Sequence, residues 1–166
     1  PYAAGLLALR EGELLAAAVR ALPRRPLVLL VDSTGRDHPR RAGLALHLGA
    51  LLDLPTVGVT HRPLLATGQW PPARRGERSP LRIDDELVGY WLVTRAGTRP
   101  LAIHAAWQTS CELAVRIVLA ASDGRARAPQ PLRVARRLAR EARSAADRPP
   151  DSTARESPRV PDPERE

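Results

Sequence analysis

The sequence predicts an α/β fold in which a buried strand delivers a carboxylate to one edge of a sheet, and three stretches carry that prediction. Leu27 to Val31 is an unbroken apolar run without polar alternation, as in a strand covered on both faces, so a central strand is expected there. The run halts at Asp32, and Ser33, Thr34 and Gly35 after it are turn formers. A helix follows, its leucines at 44, 48, 51 and 52 spaced as one buried face. In open α/β sheets ligands bind at the C-terminal ends of strands, which is where Asp32 falls.

The remaining elements follow in order. A first helix is expected from about Leu6 to Leu22, with apolar positions 7, 14, 15, 18, 19 and 22 on one face and Pro23 and Pro26 at its end. Gly12 inside it costs roughly 1 kcal/mol against Ala, so with Glu11 it suggests a charged group beside a close approach. After the leucine helix, Thr56 to Val59 reads as a short strand whose Gly58 implies close backbone contact. Thr60, His61 and Arg62 stand at its end, and Pro63 to Arg82 reads as a loop containing Trp70. Leu87–Thr94 and Leu101–Ala105 form a predicted β-hairpin with Gly97 in its turn; one of Tyr90 and Trp91 is expected in the core, and His104 as a structural residue. A third helix spans Ser110, its N-cap, to about Ala121, with Glu112 favourable in its first turn. The last runs from Gln130 to Ala145 with arginines at 133, 136, 137, 140 and 143. This divides the chain into a domain over 1–145 and a tail over 146–166, whose proline and charge cannot offset the entropy of ordering it.

Composition narrows the partners. The chain has 166 residues and a formal charge of +8, with every basic residue an arginine. A pI near 11.3 favours polyanions through steering and counterion release. The absence of Lys and Phe and the abundance of Ala fit a GC-rich genome, so arginine in itself is no sign of phosphate recognition. One cysteine, Cys111, excludes an internal disulfide framework, and no apolar run approaches the roughly 20 residues of a membrane span. A monomer in the cytoplasm, without a membrane partner, is expected. Met is absent even at position 1, which suggests an upstream segment.

Asp32, His38, Arg40 and Arg41 then crowd one sheet edge, with three meanings open. Asp32 is a turn or capping residue beside a solvated basic face; or a carboxylate ligand of a hard divalent cation with His38 and the arginines toward a phosphate; or part of a phosphate loop, ranked last because Ser33-Thr34-Gly35 is too short for a P-loop and no lysine follows.

Five motifs stand in order along the chain: PY..G at Pro1, Tyr2 and Gly5; LL..REG at Leu6, Leu7, Arg10, Glu11 and Gly12; VD..G..HPRR.G..LHLG.LLD.PT.GV from Val31 to Val59; GY.L.TR.G..P from Gly89 to Pro100; and P.PLR.A..L from Pro129 to Leu138. Taken together they resemble the endonuclease V family, whose members nick nucleic acid near deaminated adenine. The resemblance implies a ribonuclease H-like mixed sheet flanked by helices, here lacking the family's first strands, which carry a further metal-binding Asp. It implies Mg²⁺ (or Mn²⁺) at Asp32 and Glu11 as catalytic carboxylates, and His38 beside the scissile phosphate. Tyr2 corresponds to the aromatic wedge at the extruded base, Gly5, Leu7 and Gly58 to the hypoxanthine pocket, and His61 to a site where the family usually has lysine. Ser33 for the usual Gly and Trp107-Gln108 for a Gly-His-Arg-type sequence are further departures. The implied function is Mg-dependent cleavage of inosine-containing DNA or RNA in nucleic-acid repair; the alternative is a catalytically degenerate fragment that only binds nucleic acid.

Overall fold

The computed structural model describes residues 7–147. Its elements are α1 (Leu7–Arg20), β1 (Leu29–Val31), α2 (Leu44–Leu52), β2 (Thr56–Thr60), β3 (Arg78–Ile83), β4 (Glu86–Leu92), β5 (Leu101–Ala105), α3 (Cys111–Ala120) and α4 (Gln130–Ala146). The five strands form one mixed sheet in the order β1-β2-β5-β4-β3. β1 and β2 are parallel and the other neighbours antiparallel. The described residues divide into two compact units between Val134 and Ala135, within α4. In the second unit Arg137 pairs with Glu141 and Arg143 with Asp147 along the helix. The predicted tail lies outside the described residues from 148 on.

Alternation along the strands divides the core. Val57, Val59, Leu92, Leu101 and Ile103 pack with Ala114, Val115 and Val118 of α3 and with Leu132. Val31, Leu44, Ala45 and Leu48 pack with Ala16 of α1 and with Ala106. A third cluster joins Leu81, Val88, Trp91 and Ala102 to Ala66. The β4–β5 hairpin, with Gly97 at φ 71°, and the Ser110 cap, which accepts the Leu113 N–H at 3.1 Å, form as predicted. Trp91 is the buried member of the aromatic pair, at 6% exposure.

Three expectations are corrected. β1 is an edge strand among the described residues, and Leu27 lies outside it at 91% exposure; an apolar run reports affinity for burial, not the presence of neighbours on both sides. On α1 the leucine face is outside, with Leu14 74% exposed and Leu15 also exposed, as is Leu22 just beyond the helix, while Gly12 and Ala16 are buried and Ala8 half-buried. Close packing on α2 explains it: a Cβ at Gly12 would come within 3.1 Å of the His47 ring, so the contact selects small residues rather than large apolar ones. Finally, the predicted loop from Pro63 to Arg82 contains most of β3, an edge strand whose Pro80 sits where a missing N–H is tolerated.

Candidate active site at the strand ends

Asp32 leaves β1 exposed to solvent, and the chain then folds back across the sheet. The backbone there runs almost in contact with the strands beneath. A Cβ at Gly58 of β2 would lie 2.4 Å from the Ser33 carbonyl, and one at Gly35 would lie 2.2 Å from the Ala105 carbonyl of β5. Both glycines are therefore required by close approach, as expected for Gly58. The same turn starts α2: Gly43 N–H donates to the Gly35 carbonyl (2.8 Å) and Ala45 N–H to that of Thr34 (3.1 Å).

The crossing segment ends in Asp37 and His38, both buried. The Asp37 carboxylate accepts the backbone N–H groups of Leu64 (2.6 Å), Leu65 (2.7 Å) and Ala66 (2.8 Å). One side chain thus satisfies three donors of the segment that follows His61, fixing it over the sheet. His38 Nδ1 accepts the Arg40 N–H at 3.2 Å. A neutral ring so bonded carries its proton on Nε2. Burial first, and then the Arg40 charge, hold His38 below the ordinary imidazole range against the opposing pull of Asp37, so the ring is neutral at pH 7.

Beneath Asp37 lies His104, fully buried in β5. Thr60 Oγ1 donates its one proton to the Arg62 carbonyl (2.7 Å), so at 2.9 Å His104 Nε2–H must donate to Thr60 Oγ1. Nδ1 is then a bare lone pair, 3.9 Å from Asp37 Oδ2 and without a hydrogen-bond partner. Burial outweighs the carboxylate and pushes the His104 pKa down to about 4. At neutral pH this is a packed polar contact and not an ion pair. His104 is structural, as its place in a buried strand suggested.

The other predicted site residues are placed as follows. Glu11 is exposed on α1, one position before the Gly12 contact with α2. His61 is exposed just beyond β2. Leu7 is the first residue of α1, and Tyr2 and Gly5 lie outside the described residues. Among the described residues no group of three or more His, Cys, Asp or Glu side chains converges to hold an ion. Asp32 and Glu11 are nevertheless of the right kind for Mg²⁺, which commonly takes one or two protein carboxylates and completes its shell with water and phosphate oxygens. No helix among the described residues is long and apolar enough to cross a membrane.

The sequence model of the Endonuclease V family matches residues 1–137. The chain belongs to the endonuclease V family. It is 40% identical over 143 residues to endonuclease V of Roseiflexus castenholzii, an alignment covering 86% of this chain and 64% of that protein. The crystal structure of Streptomyces avermitilis endonuclease V superposes with a TM-score of 0.82 at 38% identity, covering 88% of this chain and 64% of that one. The fold is therefore the ribonuclease H-like one the motifs implied. Ciona intestinalis endonuclease V, crystallised with a 24mer DNA containing an inosine followed by a ribo-adenosine, shares the fold at TM-score 0.74 and 23% identity, over 89% of this chain and 69% of that one. The chain spans less than two thirds of the length of the first two relatives.

Within this endonuclease V chain, sequence reasoning passed over Asp37. Its signal was present, since an acid directly before His38-Pro39 in a turn-rich segment is a natural acceptor for loop N–H groups. What the sequence lacks is its partners, which lie 27 to 29 positions away.

Proposed function

We propose that this chain carries endonuclease V-type phosphodiester hydrolysis near inosine in DNA or RNA, in the repair of deaminated adenine, with Asp32 and Glu11 holding Mg²⁺. The observation that carries it is the strand-end geometry: an exposed carboxylate at the end of β1, followed by a segment clamped against the sheet that holds a buried, neutral His38 beside Arg40. Family membership and the Ciona relative's inosine-containing DNA supply the substrate class.

When bound, Mg²⁺ would supply Lewis-acid stabilisation of the phosphoryl oxygens and make an attacking water more acidic. Asp32 and Glu11 would anchor it through hard oxygens. His38, with Nδ1 occupied by the Arg40 N–H, has Nε2–H to donate to a phosphate oxygen. Gly58 leaves no side chain beneath the turn that follows Asp32; by the sequence resemblance it would line the base pocket alongside Gly5 and Leu7, with Tyr2 as wedge and His61 at the family's usual lysine position. A flipped base needs such close backbone.

A second possibility, binding without cleavage, is favoured by the donor count: no three-ligand cluster occurs among the described residues. Incubation with labelled inosine-containing and control strands, with Mg²⁺ and with EDTA, separates the two. Inosine-specific nicking that EDTA stops supports the hydrolase; salt-dependent binding with no product in either condition supports the binding-only function.

A further inference from the structure

Trp70 is a large apolar side chain held rigidly in the open. Trp70 is 56% exposed, yet the residues around it are tied down by hydrogen bonds. Thr67 pairs with Arg82 in a two-hydrogen-bond bridge, at 2.8 and 2.9 Å. The Gly68 carbonyl accepts the Trp91 indole N–H at 3.0 Å, and the Gln69 carbonyl accepts the Ser79 hydroxyl. Upstream, Asp37 holds the N–H groups of 64, 65 and 66. Behind Trp70 the buried Trp91 ring meets it edge-on, with centroids 6.1 Å apart and planes at 76°. The Arg99 guanidinium lies over one face of the Trp70 ring, 5.9 Å from the centroid.

The sheet register places this ring at the end where Asp32 lies. Thr60 of β2 faces Ala102 of β5, Ala102 faces Trp91 of β4, and Trp91 faces Ser79 of β3. That row ends at the C-terminus of β2, one strand from Asp32, and the β4–β5 turn with exposed Arg95 and Arg99 projects from the same end. From β1 to β4 there are three strand spacings, about 15 Å. A nucleic-acid strand rising about 3.4 Å per nucleotide covers this in roughly three to five nucleotides.

Covering Trp91 requires only a medium-sized apolar side chain. An indole fixed on an aromatic base, exposed and flanked by guanidinium, instead has the features of a stacking surface, where any base's π-face fits and the neighbouring cations serve the phosphates. We propose that Trp70, braced by Trp91 and flanked by Arg99, is a stacking platform for an unpaired base of the bound strand, roughly three to five nucleotides from the phosphate at Asp32. This rests on the nucleic-acid function proposed above and adds to it a contact outside the cleavage site.

The test is fluorescence anisotropy with a labelled single strand of about 12 nucleotides, comparing the chain with its Trp70→Leu, Trp70→Phe and Arg99→Gln variants at two salt concentrations, with the urea unfolding midpoint of each as a folding control. Trp70→Leu keeps Trp91 covered, so its midpoint should stay at the parent's while binding weakens roughly 5- to 100-fold. Trp70→Phe should retain most of the affinity, and Arg99→Gln should lower the salt slope by about one. Parent-like affinity in a folded Trp70→Leu variant overturns the platform and leaves the nucleic-acid function standing. If the parent chain itself shows no salt-dependent binding, both fall together.

Discussion

Asp32 and Asp37 flank the same turn and differ in almost every physical respect. Asp32 is exposed at the end of β1, an edge strand among the described residues; Asp37 is fully buried and bonded to three backbone N–H groups. Two carboxylates of one segment thus differ in role, one facing solvent, where the proposed ion would bind, the other holding the scaffold beside it. An ion must exchange water and phosphate, which requires an accessible oxygen, whereas a loop anchor must exclude water for its hydrogen bonds to be strong.

The widest separation between the two should appear in stability. Asp37→Ala leaves three N–H groups without their acceptor in a buried setting, and a loss of about 3–5 kcal/mol is expected by urea denaturation. Asp32→Asn should change it by no more than about 0.5 kcal/mol. Equal losses would erase the distinction.

Acid should act through the neighbour of Asp37. His104 has a folded pKa of about 4 against an ordinary 6.5, so its contribution is complete above about 6.5 and is lost as pH falls through that window toward 4. About 3 kcal/mol is expected over the window, with a contribution in the same direction from His38. His104→Gln should flatten most of this slope, whatever its absolute stability; an unchanged slope would show that His104 titrates normally.

Smaller again is the effect of moving the turn that joins the two acids. Gly58→Ala puts a methyl 2.4 Å from the Ser33 carbonyl, and about 2 kcal/mol of destabilisation should follow as the backbone shifts. The urea midpoint reports it, and a parent-like value would mean that the turn is not clamped. At the bottom of the scale, Leu14→Ser on the exposed side of α1 should cost no more than about 0.5 kcal/mol by the same measurement, whereas Ala16→Leu on its buried side should cost about 1–3.

Most of the elements were legible because their signals are local. The Ser110 cap, the Gly97 turn and the β2 pattern lie within a few residues of what they specify. Asp32 was legible for the same reason, being the first charge after an apolar run. What escaped depended on distant partners. Leu27 reads as buried until the sheet order leaves β1 at an edge, and the leucines of α1 outweigh its small residues until α2 is brought against Gly12. β3 was hidden by Pro80 and its charges, which an edge strand accepts and a central strand would not. Asp37 belongs with these, since nothing nearby in the chain shows that it will meet residues 64 to 66.

The division of labour between the two acids can be read most directly from Mn²⁺-induced broadening of amide NMR signals, which detects weak ion binding without requiring turnover. Broadening in the parent chain should centre on Asp32 and Glu11, and should vanish in an Asp32→Asn variant whose unfolding midpoint is unchanged. Broadening that persists undiminished in that variant, or that centres on Asp37, would contradict the assignment of Asp32 to the ion and Asp37 to the scaffold.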